Sequence, residues 1–335
     1  MIHILTHSHI QKISFLVFSF SLLLSIIGCS TPGSNTSSNT ERAIYHWKTT
    51  FNPTPWELQF LKDHHITRLY LHLFDVVPNE TKTDVVPAAT LRFLQQPPDG
   101  IEIVPTVYVS REAIEHVNYG GYGLAERIYD RVSDMMRCQG IGFRELQLDC
   151  DGSADAIYTA NSITRYLYER AHQDSIALSV TVRLSQLRDI NLLPKCDRYM
   201  LMLYNTGALQ SKSTRNSILD FKDVTPYLQF LTTPWLDTLE AHGKRLDCAY
   251  PLYGWGVAFH PNGQFAHLVP SSQLPAQGND TLRIEWGEVS TIRQVQDAVN
   301  ARMRHRHHHS TVLYHLDSAS LAHYTFEEVE SILSR

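Results

Sequence analysis

The sequence predicts an α/β protein built as a single closed (β/α)8 TIM barrel, and three observations predict it. From Arg42 onward, short β-rich runs alternate with amphipathic segments about eight times in about 295 residues, the rhythm of parallel strands joined by helical crossovers. The central runs have one apolar and one polar side, as barrel strands do and strands of an open doubly wound sheet do not. At 335 residues and 43% hydrophobic, the chain is also long enough to bury one large core.

In chain order the strand runs are 43–47 (AIYHW), 68–74 (RLYLHLF), 101–109 (IEIVPTVYV) and 145–149 (ELQLD), then 177–184 (ALSVTVRL), 198–204 (RYMLMLY), 246–253 (LDCAYPLY) and 311–316 (TVLYHL). Helical segments are expected at 54–65, 88–95, 123–138, 154–173, 227–242, 291–303 and 325–333. The fifth crossover, 185–195, is too short for a full helix. In the fourth run Leu146, Leu148 and Cys150 share one side, and Gln147, Asp149 and Asp151 the other. In the fifth, Leu178, Val180, Val182 and Leu184 oppose Ser179, Thr181 and Arg183. The apolar side would meet the helix ring and the polar side would point into the barrel axis near its upper end. The Gly-rich stretch 118–123 (NYGGYG) lacks the spacing of a phosphate loop and reads as a turn before a helix. Residues 256–286, with Phe259, Phe265 and several prolines, read as a long loop walling a cleft.

Residues 1–28 are expected to lie outside the fold. Lys12 is the sole formal positive charge before an apolar run over 13–27. That run is short for a membrane span and the right length for the core of a secretion signal. It ends Ile26-Ile27-Gly28-Cys29, which resembles a bacterial lipoprotein lipobox, cut before a cysteine that takes up lipid. Small Gly28 fits the peptidase and Cys29 supplies the thiol; the alternative is an uncleaved N-terminal anchor with an incidental cysteine. Residues 30–40 (STPGSNTSSNT) lack any large apolar side chain and read as a flexible tether. The expected organisation is therefore a signal peptide over 1–28, a tether over 29–41 and a barrel over 42–335. Ser30 after the cysteine, in place of Asp, resembles proteins sorted to the outer membrane, and no acidic export signal follows. The expected location is the bacterial cell envelope, lipid-anchored at the periplasmic face of the outer membrane.

A formal net charge of −5, from 29 Lys+Arg against 34 Asp+Glu, argues against a nucleic-acid partner. Cys138, Cys150, Cys196 and Cys248 show no CxxC spacing, which argues against a zinc site. Cys196 and Cys248 are read either as a disulfide or as two buried thiols. The histidine-rich run 305–309 (HRHHH) could bind metal, but it precedes the last strand and so falls at the bottom of a barrel, where residues serve stability.

Barrel active sites lie where the strands end. Collecting strand ends gives Trp47, Asp75, Tyr108, Asp149, Asp151, Arg183, Tyr204, Asn205, Tyr253, Trp255 and Asp317. Aromatics with carboxylates suit carbohydrate, because flat rings stack on sugar faces while carboxylates bond hydroxyls and handle protons. Asp149 and Asp151, at i and i+2, would point the same way, roughly 6–7 Å apart at Cα. Two carboxylates so placed cannot both ionise easily, which leaves one proton available for a leaving group. The alternative is an ion-pair network in which Arg183 and a second cation neutralise both aspartates.

These strand ends resemble those of family eighteen glycoside hydrolases, the chitinases and endo-β-N-acetylglucosaminidases. The family's fourth-strand signature is D-x-x-D-x-D-x-E, and here the stretch runs Arg144-Glu145-Leu146-Gln147-Leu148-Asp149-Cys150-Asp151. Asp149 matches one aspartate of it. Asp151 stands where the family has its catalytic Glu, and Gln147 and Arg144 replace the other two aspartates. Met202-Leu203-Tyr204-Asn205 resembles the family's Met-x-Tyr-Asp, and Pro251-Leu252-Tyr253-Gly254 its Pro-Phe-Tyr-Gly. The resemblance covers roughly residues 140–260. Over nearly the whole mature chain, runs such as YHWKTTF, RLYLHLFDV, LQLDCD and LMLYNTG also resemble lipoproteins of Bacteroidetes with this barrel. The family resemblance implies a glycoside hydrolase acting on an N-acetylhexosamine-containing glycan. Asp151 would be general acid/base, Asp149 its partner, and Tyr204 a third catalytic group. Trp47, Asp75, Tyr108, Arg183, Asn205, Tyr253 and Trp255 would bind substrate. No metal or organic cofactor is implied. An Asp at 151 is one methylene short of Glu, so the other expectation is a lipoprotein that binds glycan for a polysaccharide uptake system without cutting it.

Overall fold

A computed structural model describes residues 41–117, 121–150, 156–274, 281–303 and 310–335. The signal, the lipobox with Cys29, most of the tether, Asp151 and the histidine run at 305–309 lie outside the described residues.

Eight parallel strands close into a barrel. They are β1 (Arg42–His46), β2 (Arg68–Pro78), β3 (Glu102–Val109), β4 (Glu145–Cys150), β5 (Ala177–Arg183), β6 (Arg198–Met202), β7 (Arg245–Pro251) and β8 (Thr311–Tyr314). Each pairs with its sequence neighbour, and β1 pairs with both β2 and β8, which shuts the ring. Closure leaves no strand edge unpaired within the barrel. The outward residues of β4 and β5, among them Leu146, Leu148, Val180 and Val182, are buried in one core with Ile128, Val132, Ile163 and Leu167 of the surrounding helices. Those helices include Tyr122–Cys138 and Ile157–Gln173.

The inward residues stack in three levels. At the base is a charged plug. Arg68 bridges Glu145 at 2.9 Å and Glu41 at 2.5 Å, and Arg198 bridges Asp247 at 2.6 Å and Glu145 at 3.3 Å. Above it lies an apolar layer of Ala43, Tyr45, Tyr70, Val104, Met200, Ala249 and Val312. The Tyr45 hydroxyl donates to Gln147 Oε1 at 2.7 Å, at the boundary with the polar upper level.

Three expected elements differ. Residues 88–95 form no helix. Val85–Ala88 instead pairs antiparallel with the upper end of β2, and Arg92–Phe93 pairs with Thr50–Phe51. Leu91 is buried in the core and half-buried Phe93 packs against it, and tertiary contact overrides the helical spacing. The segment 227–242 is two helices, Phe221–Leu228 and Thr233–Ala241. Pro234 cannot donate an amide hydrogen to a preceding turn, so it sits in the first turn of the second helix. Where a loop is expected over 256–286, the described residues form strands: Gly254–Phe259 pairs antiparallel with both Phe265–Pro270 and Thr281–Trp286. Gly254 is required there, because a Cβ would lie 2.3 Å from the Trp286 ring. The fifth crossover is a run of 3-10 turns, Leu184–Leu192, in place of a full helix. Cys196 and Cys248 are both buried free thiols, and burial pushes the Cys248 thiol up to about 12.

Candidate active site at the barrel mouth

The C-terminal ends of the strands surround a cavity of about 420 Å³. Its walls include Trp47 beyond β1, Asp75 of β2, Tyr108 of β3, Asp149 of β4, Arg183 of β5, and Tyr204 and Asn205 beyond β6. These seven expected residues come together although up to about 160 positions separate them in the chain. Strand pairing explains how. Asp75 is level with Tyr108, and Tyr108 with Asp149, so three adjacent strands deliver three inward side chains at one height.

Asp149 is 8% exposed, and the Thr181 hydroxyl of the neighbouring strand donates to its Oδ1 at 2.6 Å. A hydrogen bond of this length holds the carboxyl in one orientation. Asp75 Oδ1 lies 2.7 Å from His72 Nε2. Burial raises the Tyr204 and Tyr314 hydroxyls well above the usual phenol range, so both remain neutral donors at physiological pH. Among the described residues, the cavity thus combines two carboxylates, one guanidinium and several neutral hydroxyls with the rings of Trp47, Tyr204 and Tyr314. Tyr204 and Tyr314 are stacked, with centroids 4.8 Å apart.

Tyr253 and Trp255 do not line the cavity. Tyr253 is buried, and its hydroxyl donates to Asn205 Oδ1 at 2.7 Å. Asn205 has φ +54°, a left-handed conformation that asparagine tolerates better than most residues. Tyr253 therefore braces a cavity residue from behind. The Trp255 indole donates to Glu285 Oε2 at 2.8 Å and belongs to the antiparallel insertion. Asp317, another expected strand end, caps a short helix and bridges Lys48 at 2.9 Å. No segment of that insertion lines the cavity among the described residues.

Tyr314, Tyr227 and Met202 are cavity residues that strand-end reading misses. Tyr314 was legible: Val312 faces the barrel interior, so Tyr314, two residues on, must face it too. Tyr227 comes from a helix and has no periodic signal pointing at the site. Among the described residues, no three His, Cys, Asp or Glu side chains come together as a metal-binding group.

The fold and this mouth define an α/β TIM barrel with a polar, aromatic-lined pocket at the C-terminal ends of its strands. No family model matches the chain, and no curated protein matches it in sequence. Solved structures do match. A chitinase from Chromobacterium violaceum is 13% identical with a TM-score of 0.54, over 88% of this chain and 99% of that one. The spore cortex-lytic enzyme SleL of Bacillus megaterium is 11% identical with a TM-score of 0.52, over 84% of this chain and 72% of that one. A GH18 chitinase from Cycas revoluta, in complex with (GlcNAc)4, is 12% identical with a TM-score of 0.51, over 88% of this chain and 98% of that one. At these identities the likeness is one of fold, the TIM barrel that this chain shares with those structures.

Proposed function

We propose that this chain is a glycoside hydrolase-like protein acting on a glycan that contains N-acetylhexosamine. The observation that supports this reading is the cavity itself. It has the size of a small-molecule site, lies at the catalytic end of a barrel, and combines stacked aromatic rings with oriented carboxylates. A sugar ring would lie against Trp47 and the Tyr204–Tyr314 pair. Asp149, held by Thr181, would stabilise positive charge that develops at the anomeric carbon, while Tyr204 and Asn205 bond the reacting sugar. Asp151, two residues further on, would give its proton to the leaving oxygen. The test is product analysis with (GlcNAc)4 on the full chain. Asp151→Asn is expected to lower cleavage by about 10²-fold or more while leaving binding intact. Unchanged cleavage would remove Asp151 from the acid role.

One observation favours a second reading, in which a glycan-binding protein of a polysaccharide uptake system uses the same cavity without cutting. An Asp at 151 falls roughly 1.5 Å short of where a Glu carboxyl would sit, and a misplacement of about 1 Å can cost about 10²-fold in rate. Calorimetric binding of (GlcNAc)4 with no cleaved product by mass spectrometry would select it.

The proposal extends to location. The order Lys12, apolar run, Gly28-Cys29 supports cleavage before Cys29 and its lipidation, with the Ser/Thr-rich stretch as a tether at the periplasmic face of the outer membrane. No helix among the described residues is long and apolar enough to cross a membrane. The N-terminal peptide of the membrane-associated protein is expected to carry acyl mass on Cys29, and Cys29→Ser to release the barrel into the soluble fraction. A Cys29→Ser chain that stays membrane-bound would overturn the anchor.

A further inference from the structure

Strand β2 contains an irregularity that the alternation of its sequence conceals. Leu71 pairs with Pro105 and His72 with Thr106, and then the register shifts: Phe74 pairs with Val107 and Asp75 with Tyr108. Leu73 is the extra residue. In an unbroken strand, positions 72 and 75 would face opposite sides. One inserted residue reverses the parity, as bulges beside active sites do, and both side chains reach the barrel interior. There His72 Nε2 lies 2.7 Å from Asp75 Oδ1. His72 is 2% exposed and its ring centroid is 4.6 Å from that of Trp47, whereas the Asp75 side chain keeps 27% of its exposure and lines the cavity.

We propose that Asp75 is a ligand-binding carboxylate of the cavity and that His72, through the bulge at Leu73, is its positioning residue. The His72 Nε2–H donates to Oδ1, which leaves Oδ2 to accept from a hydroxyl or amide N–H of a saccharide ring lying on Trp47. His72 thereby links the stacking surface to the acceptor, because its ring touches Trp47 on one side and its proton orients Asp75 on the other. This assignment rests on the reading of the cavity as a glycan site.

The experiment is calorimetric titration of the full chain with (GlcNAc)4, beside a melting curve and the imidazole nitrogen resonances of His72 for each variant. Asp75→Asn and His72→Phe are each expected to weaken binding by about tenfold or more, the scale of a lost hydrogen bond to a charged group. His72→Gln keeps an N–H donor in reach and is expected to recover affinity to within about threefold of the parent. In Asp75→Asn the His72 Nε2 resonance is expected to move without ligand present. Parent-like binding by Asp75→Asn, or His72→Gln binding as weakly as His72→Phe, overturns the assignment while the glycan reading stands. An unshifted His72 resonance in Asp75→Asn overturns it as well. A parent chain that gives no heat with (GlcNAc)4 overturns the glycan reading for this sugar and the assignment with it.

Discussion

At the scale of single residues, the site depends on side chains that hold others in place. Thr181 holds Asp149, His72 holds Asp75, and Tyr253 holds Asn205. Thr181 lies on the polar side of β5 and Tyr253 among the strand ends, whereas His72 is found only by the atom it contacts. Thr181→Val tests the first pair, since valine keeps the branched shape and loses the donor. Removing a hydrogen bond to the charged form raises a carboxyl's pKa. On the hydrolase reading proposed above, the acidic limb of the cleavage profile is therefore expected to move to higher pH, and kcat/KM to fall by about tenfold or more, from a loss of roughly 1.5–3 kcal/mol. A pH–rate profile that coincides with the parent's would show that Thr181 has no such influence.

At the scale of elements, the strands follow the sequence closely and the connections do not. All eight barrel strands fall on the β-rich runs, because a strand between a barrel interior and a helix ring must alternate in polarity. The polar side of β4 and β5 reads correctly into the interior for the same reason. The bulge in β2 could not be read, because alternation of RLYLHLFD assigns His72 inward and Asp75 outward. The helix expected over 88–95 and the loop expected over 256–286 give way to strands among the described residues for a different cause. Their apolar residues cover neighbours on β2 and within a three-stranded insertion, contacts that local spacing does not encode. The helix expected over 227–242 becomes two, with Pro234 in the first turn of the second.

At the scale of the molecule, buried titratable groups set a direction for stability against pH. Burial lowers His46 and His315 to about 4, so both are neutral in the fold at pH 7. An unfolded histidine takes up its proton near 6.5. Between pH 6.5 and about 4 the unfolded state therefore binds more protons than the folded one, and stability falls as pH falls, by about 1.4 kcal/mol per unit for each group fully engaged. Glu41, Glu57, Asp317 and Glu330 have lowered carboxyls and add losses of the same sign further into acid. Glu145, raised by burial, acts in the opposite sense. Urea unfolding midpoints are expected to drop between pH 7 and pH 4.5, and His46→Asn to reduce that drop. A midpoint constant over this range would contradict the burial of neutral imidazoles.

The pattern of residues along the chain is enough to specify the barrel, the faces of its strands, and most of the residues at its mouth. Closed parallel sheets require alternation, and strand ends converge wherever such a sheet closes. The tertiary structure decided what the period of two cannot encode. It turned Asp75 inward through one extra residue, brought Tyr227 from a helix to the pocket, and left Tyr253 and Trp255 out of the pocket lining. Those outcomes depend on register shifts and on contacts between distant segments, which arise only when the ring is closed and packed.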